Sequence, residues 1–144
     1  MQLLLDEDVP EQVLGVLRHV LRGHEVRHVH ELGWSGKKDL ALFRDMTGKF
    51  DVLITNNHRQ LDDPDETRGI KRAGIHHVCY RHSVDGLRGL ALAVGAIIAA
   101  MPAVLEELGA ARGQRLVTIH GLAPGKKRFD IVDPKRDPPR YWRG

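Results

Sequence analysis

Three aspartates carry side chains that could hold a metal ion together. Asp6 and Asp8 follow an apolar run at residues 2–5, and they share one side of an extended backbone while Glu7 points elsewhere. Asp39 stands further along, at the start of a helical segment. Carboxylate oxygens suit Mg²⁺ or Mn²⁺, and such an ion can activate water and neutralise a phosphodiester. The pattern predicts a divalent-metal site for hydrolysis.

Each of these acids, taken alone, is better explained as a helix cap. Asp8 precedes Pro10, which suits the first turn of a helix, and Asp39 could cap its own helix. The metal-site hypothesis therefore depends on whether the three carboxylates meet at one edge of the fold.

The elements that would position them alternate between strand and helix. Strands are predicted at 2–5, 24–29, 51–55, 75–80 and 115–120, and helical periodicity fills the segments between them. Strands separated by helices call for right-handed crossovers. The chain is therefore predicted to be α/β, with three α/β/α layers around a mostly parallel sheet of four or five strands.

In parallel sheets, functional groups gather at the carboxyl ends of the strands. This rule selects Asp6 to Asp8, the loop up to Asp39, and residues 56–58 (NNH). In the last long helix, Ser83 is expected to cap the start and Pro102 to break the helix or restart it.

Composition places the chain among soluble globular proteins. Its 144 residues suit one domain, Cys79 is the single cysteine, and the N-terminal apolar run is too short for a secretory signal. The apolar segment 89–105 is interpreted as buried helix and not as a membrane span. A cytoplasmic protein without membrane association is expected.

Charge divides the chain into two parts. Residues 125–144 hold seven Lys/Arg and three Asp, whereas the formal net charge of the whole chain is +3. A domain at 1–122 is therefore predicted, followed by a basic, Pro-rich tail at 123–144. Such a tail could attract phosphates, or it could be a solvated arm or an oligomer contact.

Several segments resemble PIN-like domains related to VapC-type toxins. Residues 4–10 (LLDEDVP) resemble the family's opening LLDENLP, and residues 23–26 (GHEV) with 31–33 (ELG) resemble its GHDV…ELG. Residues 52–57 (VLITNN) resemble its VLITxD strand. The resemblance covers residues 1–80 and continues more faintly to about residue 120.

This resemblance implies a Mg²⁺- or Mn²⁺-dependent ribonuclease, often the toxin of a toxin–antitoxin pair. It implies that Asp6 and Asp39 are metal ligands, that Asp8 supports them, and that Thr55 orients the site. RNA is then the expected substrate and a protein antitoxin the expected partner, and a homodimer is left open. Residues predicted to lie against the substrate are Thr55, Asn56, His58 and Arg59.

Asn57 departs from the family, which usually has Asp at this position and often another acid two residues on. Asparagine can coordinate through its carbonyl oxygen but brings no negative charge, so Asn57 is kept as a catalytic candidate with weaker metal affinity. The alternative is a PIN-like module that binds RNA or a protein partner without cutting. A receiver-type phosphoacceptor is disfavoured because the third strand ends on Asn56-Asn57 in place of an acceptor aspartate.

The nine histidines do not match a known zinc pattern. His28 and His30 could share one face of a strand, but no pair has the spacing of HExxH or of paired CxxC motifs. The sequence therefore does not predict a histidine metal site.

Overall fold

A computed structural model describes residues 1–81, 85–122, 133–136 and 138–141. Its elements in chain order are β1 (Gln2–Leu5), α1 (Gln12–Val20), β2 (Glu25–His28), α2 (Asp39–Met46), β3 (Val52–Thr55), a 3-10 helix (His58–Leu61), α3 (Pro64–Ala73), β4 (His76–Tyr80), α4 (Gly86–Ala110) and β5 (Leu116–Ile119). The predicted α/β class is confirmed.

The five strands form one sheet in the order β2-β1-β3-β4-β5, and every neighbouring pair is parallel. The chain leaves β1 toward β2 on one side and returns to β3 on the other. The carboxyl ends of β1 and β3 therefore flank the point where the strand order reverses, which is where open α/β sheets bind ligands.

Helices cover both faces of the sheet and give the three predicted layers. Alternate residues of each strand face opposite layers. Leu3, Leu5 and Ile54 join the core beneath α1 and α4, whereas Leu4 and Leu53 join the core beneath α2 and α3. By the same alternation, Asp6 and Thr55 extend the rows of Leu4 and Leu53, so both side chains face the α2–α3 layer.

The expected break at Pro102 is wrong, because α4 runs without interruption from Gly86 to Ala110. Pro102 lies on the exposed face of the helix, while Met101 and Leu105 beside it are buried in the core. Water can serve a carbonyl that lacks its helical donor on an exposed face. Packing on both sides of the proline therefore outweighs its low helix propensity.

Helix α4 is long and apolar enough to cross a membrane by length and composition. Its buried residues nevertheless follow helical spacing and form one stripe against the sheet, at Gly89, Ala93, Ala96, Ile97, Met101, Leu105 and Leu108. A stripe of this kind is typical of a helix that covers a protein core.

Two predictions fall partly or wholly on residues that lie outside the described part of the chain. Ser83, the expected cap of α4, is one of them, and the helix as described follows Asp85. Most of the predicted tail at 123–144 also lies outside it. The domain boundary at residue 122 stays a prediction, and all ten described elements lie before it.

Candidate metal centre at the carboxyl edge of the sheet

Asp6 continues the sheet one residue beyond β1. Its backbone N–H donates to the carbonyl of Ile54 at 2.9 Å, which fixes the backbone between β1 and β3. Its carboxylate accepts hydrogen bonds from the Glu7 N–H at 2.8 Å and from the Thr55 hydroxyl at 2.9 Å. Burial to 8% exposure, reinforced by the charge of Asp8, raises the pKa of Asp6 to about 6.

Asp8 is held against the end of β3. Its Oδ1 accepts the Asn56 backbone N–H at 3.1 Å and lies 3.5 Å from the Thr55 hydroxyl. Desolvation raises its pKa, and the charge of Asp39 adds to that effect. Glu11, and not Asp8, occupies the N-cap position of α1, where it makes no side-chain cap bond. Asp8 therefore joins the end of β1 to the end of β3 and does not cap α1.

Asp39 is the first residue of α2, but it does not cap that helix either. The N-cap position belongs to Lys38, and no side-chain cap bond is present there. Oδ2 of Asp39 lies 3.5 Å from the Asn57 amide nitrogen. Its charge contributes to the raised pKa values of both Asp6 and Asp8. The three predicted carboxylates thus act on one another at one edge of the sheet.

Glu66 is a fourth carboxylate, which the sequence analysis missed. It lies in the first turn of α3, half-buried, and its carboxyl group interacts electrostatically with that of Asp39. Desolvation, followed by the charges of Asp39 and Asp63, raises its pKa. The only sequence signal was its place in an acidic stretch, where Asp62, Asp63 and Asp65 are equally plausible.

Two acids near Glu66 in the sequence, Asp63 and Asp65, make other interactions. Oδ1 of Asp63 accepts the N–H groups of Asp65 and Glu66 and so caps α3. Asp65 pairs with Arg68 on the outer side of the same helix. Helix capping by Asp63 therefore sets which acid of the stretch turns toward Asp39.

The four acids of this cluster carry negative charge. Within the described residues, no lysine or arginine nitrogen lies within 4 Å of a carboxylate oxygen of Asp6, Asp8, Asp39 or Glu66. Burial removes these carboxylates from water and their charges repel one another, so a bound cation would stabilise them. Oxygen-only donors of this kind fit a hard divalent ion such as Mg²⁺ or Mn²⁺.

Asn57 occupies the position where the resemblance implies an acid. Its carbonyl oxygen accepts the Arg59 N–H at 3.2 Å and caps the 3-10 helix, while its NH₂ group faces Asp39. In this arrangement Asn57 offers Asp39 a donor and no negative charge. Its role as a ligand through the carbonyl oxygen stays a prediction.

Thr55 is completely buried, with 0% exposure. Its hydroxyl donates to Asp6 and accepts the backbone N–H of Asn57 at 3.0 Å. These contacts favour the orienting role over the predicted contact with a substrate. The predicted substrate residues Asn56, His58 and Arg59 follow directly, and the last two are exposed on the 3-10 helix.

Comparison with known proteins adds one finding. A family model described as a PIN-like domain matches residues 1–82 of the chain, which include β1 to β4 and all four clustered carboxylates. A search of the curated proteins found no match, and neither did a search of the solved structures.

Proposed function

Because this chain belongs to the PIN-like domain family, we propose that it is a divalent-metal-dependent endoribonuclease of the cytoplasm. The observation that carries the proposal is the cluster of four carboxylates at the switch point of the sheet, which have no lysine or arginine nitrogen within 4 Å among the described residues. Asp6 and Asp8 come from the end of β1, Asp39 from α2 and Glu66 from α3. Four anionic groups from three segments destabilise a protein unless a cation offsets them.

Asp6, Asp39 and Glu66 would hold Mg²⁺ or Mn²⁺, with Asp8 beside them. The bound ion supplies Lewis acidity, which activates water and offsets the charge of a phosphodiester. Thr55 orients Asp6 through its hydroxyl, and the backbone N–H of Asn56 orients Asp8. The two aspartates at the end of β1 are thus fixed in place by the end of β3.

Arg59 and His58 would meet the RNA beside the acidic cluster. Both are exposed on the 3-10 helix that follows β3 directly. A guanidinium suits phosphate oxygens because it presents several N–H donors in a fixed plane. Cationic contact at this point would offset the repulsion between the RNA backbone and the carboxylates.

The proposal extends to a role as the toxin of a toxin–antitoxin pair, with a protein antitoxin as partner. The support for this part is the resemblance of residues 4–10 and 52–57 to VapC-related domains. Co-expression with a candidate antitoxin should restore the growth of cells that express the active chain. Size-exclusion chromatography would test the homodimer that the sequence analysis left open.

The decisive experiment is RNA cleavage with purified full-length chain and Mn²⁺. Wild type should cut a mixed RNA substrate, and Asp6→Asn and Asp39→Asn should each lose at least about a hundredfold of the rate. Asp133→Asn, at an exposed carboxyl in the C-terminal part, is the matched control and should cut normally. Folded wild-type chain that cuts no RNA with Mg²⁺ or Mn²⁺ would contradict the proposal.

A second candidate function is a PIN-like module that binds RNA or a protein without cutting. The specific observation in its favour is Asn57, which brings no charge and whose carbonyl oxygen caps the 3-10 helix. This candidate predicts RNA binding that is insensitive to EDTA and unchanged in Asp6→Asn. Binding that requires Mn²⁺ and the Asp6 carboxylate would favour the nuclease.

A further inference from the structure

A second group of side chains with metal-binding chemistry shares no residue with the four clustered carboxylates. Glu11, His28 and His30 each offer one ligand atom, and these atoms all lie within 4.8 Å of one another. His28 ends β2, His30 lies just beyond it, and Glu11 precedes α1. We propose that these three residues form a separate site for a borderline transition metal, with Zn²⁺ the best fit.

The donor set differs in kind from the acidic cluster. Two imidazoles and one carboxylate are the ligands that Zn²⁺ takes in sites with an open fourth position. Glu11 Oε1 lies 2.6 Å from His30 Nδ1 and 3.9 Å from His28 Nδ1, and the two imidazole ring centres are 4.5 Å apart. Side-chain rotations alone could bring the three atoms around one ion.

His28 is already oriented for this role. It is 1% exposed, and its Nε2 bonds to the Val9 carbonyl oxygen at 2.8 Å. The carbonyl can only accept, so Nε2 carries the proton and Nδ1 keeps its lone pair, 3.9 Å from Glu11 Oε1. A histidine whose far nitrogen donates to a backbone carbonyl is the usual arrangement in metal sites.

Without a metal, that lone pair accepts the backbone N–H of His30 at 3.1 Å. Metal binding would replace this hydrogen bond with a coordination bond. The exchange is local because His30 lies in the segment that follows β2 and not within the sheet.

His30 has a carboxylate on each side. Its Nδ1 bonds to Glu11, and its Nε2 lies 3.9 Å from Oε1 of Glu7, which also accepts the Gly36 N–H at 3.1 Å. Ligation through Nδ1 would leave the imidazole proton on Nε2, facing Glu7. Glu7 would then orient the ligand histidine, as second carboxylates do in zinc sites.

Glu11 occupies the N-cap position of α1 but makes no cap bond. Its side chain is directed to His30 instead, with 59% exposure, and the His30 side chain is 38% exposed. An ion could therefore enter from solvent. Once bound, it would tie the start of α1 to the segment that leads from β2 to Asp39.

The test is Co²⁺ titration of the full-length chain in excess Mg²⁺, followed by visible absorption. Wild type and Asp6→Asn should each bind one Co²⁺ with the intense bands of four- or five-coordinate Co²⁺, and Zn²⁺ should displace it. His30→Gln and Glu11→Gln should each bind Co²⁺ at least about tenfold more weakly. His19→Gln, at an exposed position of α1, is the matched control and should behave as wild type.

Both ligand variants remove exposed side chains, so they should fold normally, and circular dichroism would check this. Zn²⁺ should also raise the unfolding temperature of Asp6→Asn but not that of the double variant Asp6→Asn/His30→Gln. Equal Co²⁺ affinity in wild type, His30→Gln and Glu11→Gln would overturn the proposal. Loss of Co²⁺ binding in Asp6→Asn would overturn it too, because the ion would then belong to the acidic cluster.

Discussion

The carboxyl group of Glu66 interacts electrostatically with that of Asp39, although the two residues belong to different helices, α3 and α2. This interaction places a fourth acid at the edge of the sheet where Asn57 supplies none. Burial and the charge of Asp39 raise the pKa of Glu66, which is the behaviour of like charges held together. Glu66 is therefore our candidate for the acid that compensates for Asn57.

We expect Glu66→Gln to stabilise the metal-free protein and to weaken Mn²⁺ binding at least about tenfold, because it removes one of the repelling charges. Thermal unfolding in EDTA and in Mn²⁺ would measure both effects. Glu107→Gln, on the exposed surface of α4 at the opposite edge of the sheet, is the matched control. A Glu66→Gln protein with wild-type Mn²⁺ affinity would remove Glu66 from the site.

The position of Glu66 could not be predicted from the sequence. The strands that end at Asp6 and Thr55 were predictable from apolar runs, and parallel pairing places their carboxyl ends together. The acid that α3 contributes depends on the cap at Asp63, which fixes the rotation of that helix. Residues 62–66, four acids and Pro64, contain no hydrophobic period from which this rotation could be read.

The same limit applies to the histidine cluster. His28 and His30 were recognised as a pair, but the third proposed ligand, Glu11, lies in the connection from β1 to α1. Short motifs detect ligands that one helix or loop brings together, and these three come from two segments. The predicted helix break at Pro102 was wrong because it rested on local propensity alone. Tertiary packing on both sides of the proline keeps α4 continuous.

The pKa of Asp6, raised to about 6 by burial and by Asp8, predicts a pH-dependent stability of the metal-free protein. The folded state binds the Asp6 proton more tightly than the unfolded state does, so the protonated carboxyl group favours folding. Its contribution to the free energy of unfolding is complete below pH 3.8 and is lost as pH rises to about 6. The difference from the ordinary pKa of 3.8 corresponds to about 3 kcal/mol.

The titration of His77 changes stability with pH in the opposite direction, so its effect must be separated from that of Asp6. Burial lowers its pKa from 6.5 to about 4, so its contribution is lost as pH falls through that range. The measurement is therefore the difference between wild type and Asp6→Asn in urea unfolding with EDTA, at pH 4 and pH 7. The gain in stability from Asp6→Asn should be larger at pH 7, and an equal gain at both values would contradict the assignment.

Thr55→Val tests the hydroxyl that donates to Asp6. The substitution keeps the volume of the side chain but removes the hydrogen bond that holds the pKa of Asp6 down. We expect the acidic limb of the cleavage profile to move to higher pH by about 1 pH unit. Thr55→Ser retains the hydroxyl and should keep the wild-type profile. An unchanged profile in Thr55→Val would mean that the ionisation of Asp6 does not control the rate.

Asn57→Asp tests whether the missing charge limits this site. The new carboxylate could still accept the Arg59 N–H, so the cap of the 3-10 helix should persist. It would also face Asp39 in place of the present amide. Mn²⁺ affinity should rise at least about tenfold, and the metal-free protein should become less stable.

Cleavage by Asn57→Asp alone would identify the natural chain as a weakened nuclease. Faster cleavage than an already active wild type would mean that Glu66 compensates only in part. If Asn57→Asp binds Mn²⁺ more tightly but neither it nor wild type cleaves RNA, the result would favour a PIN-like module that binds without cutting.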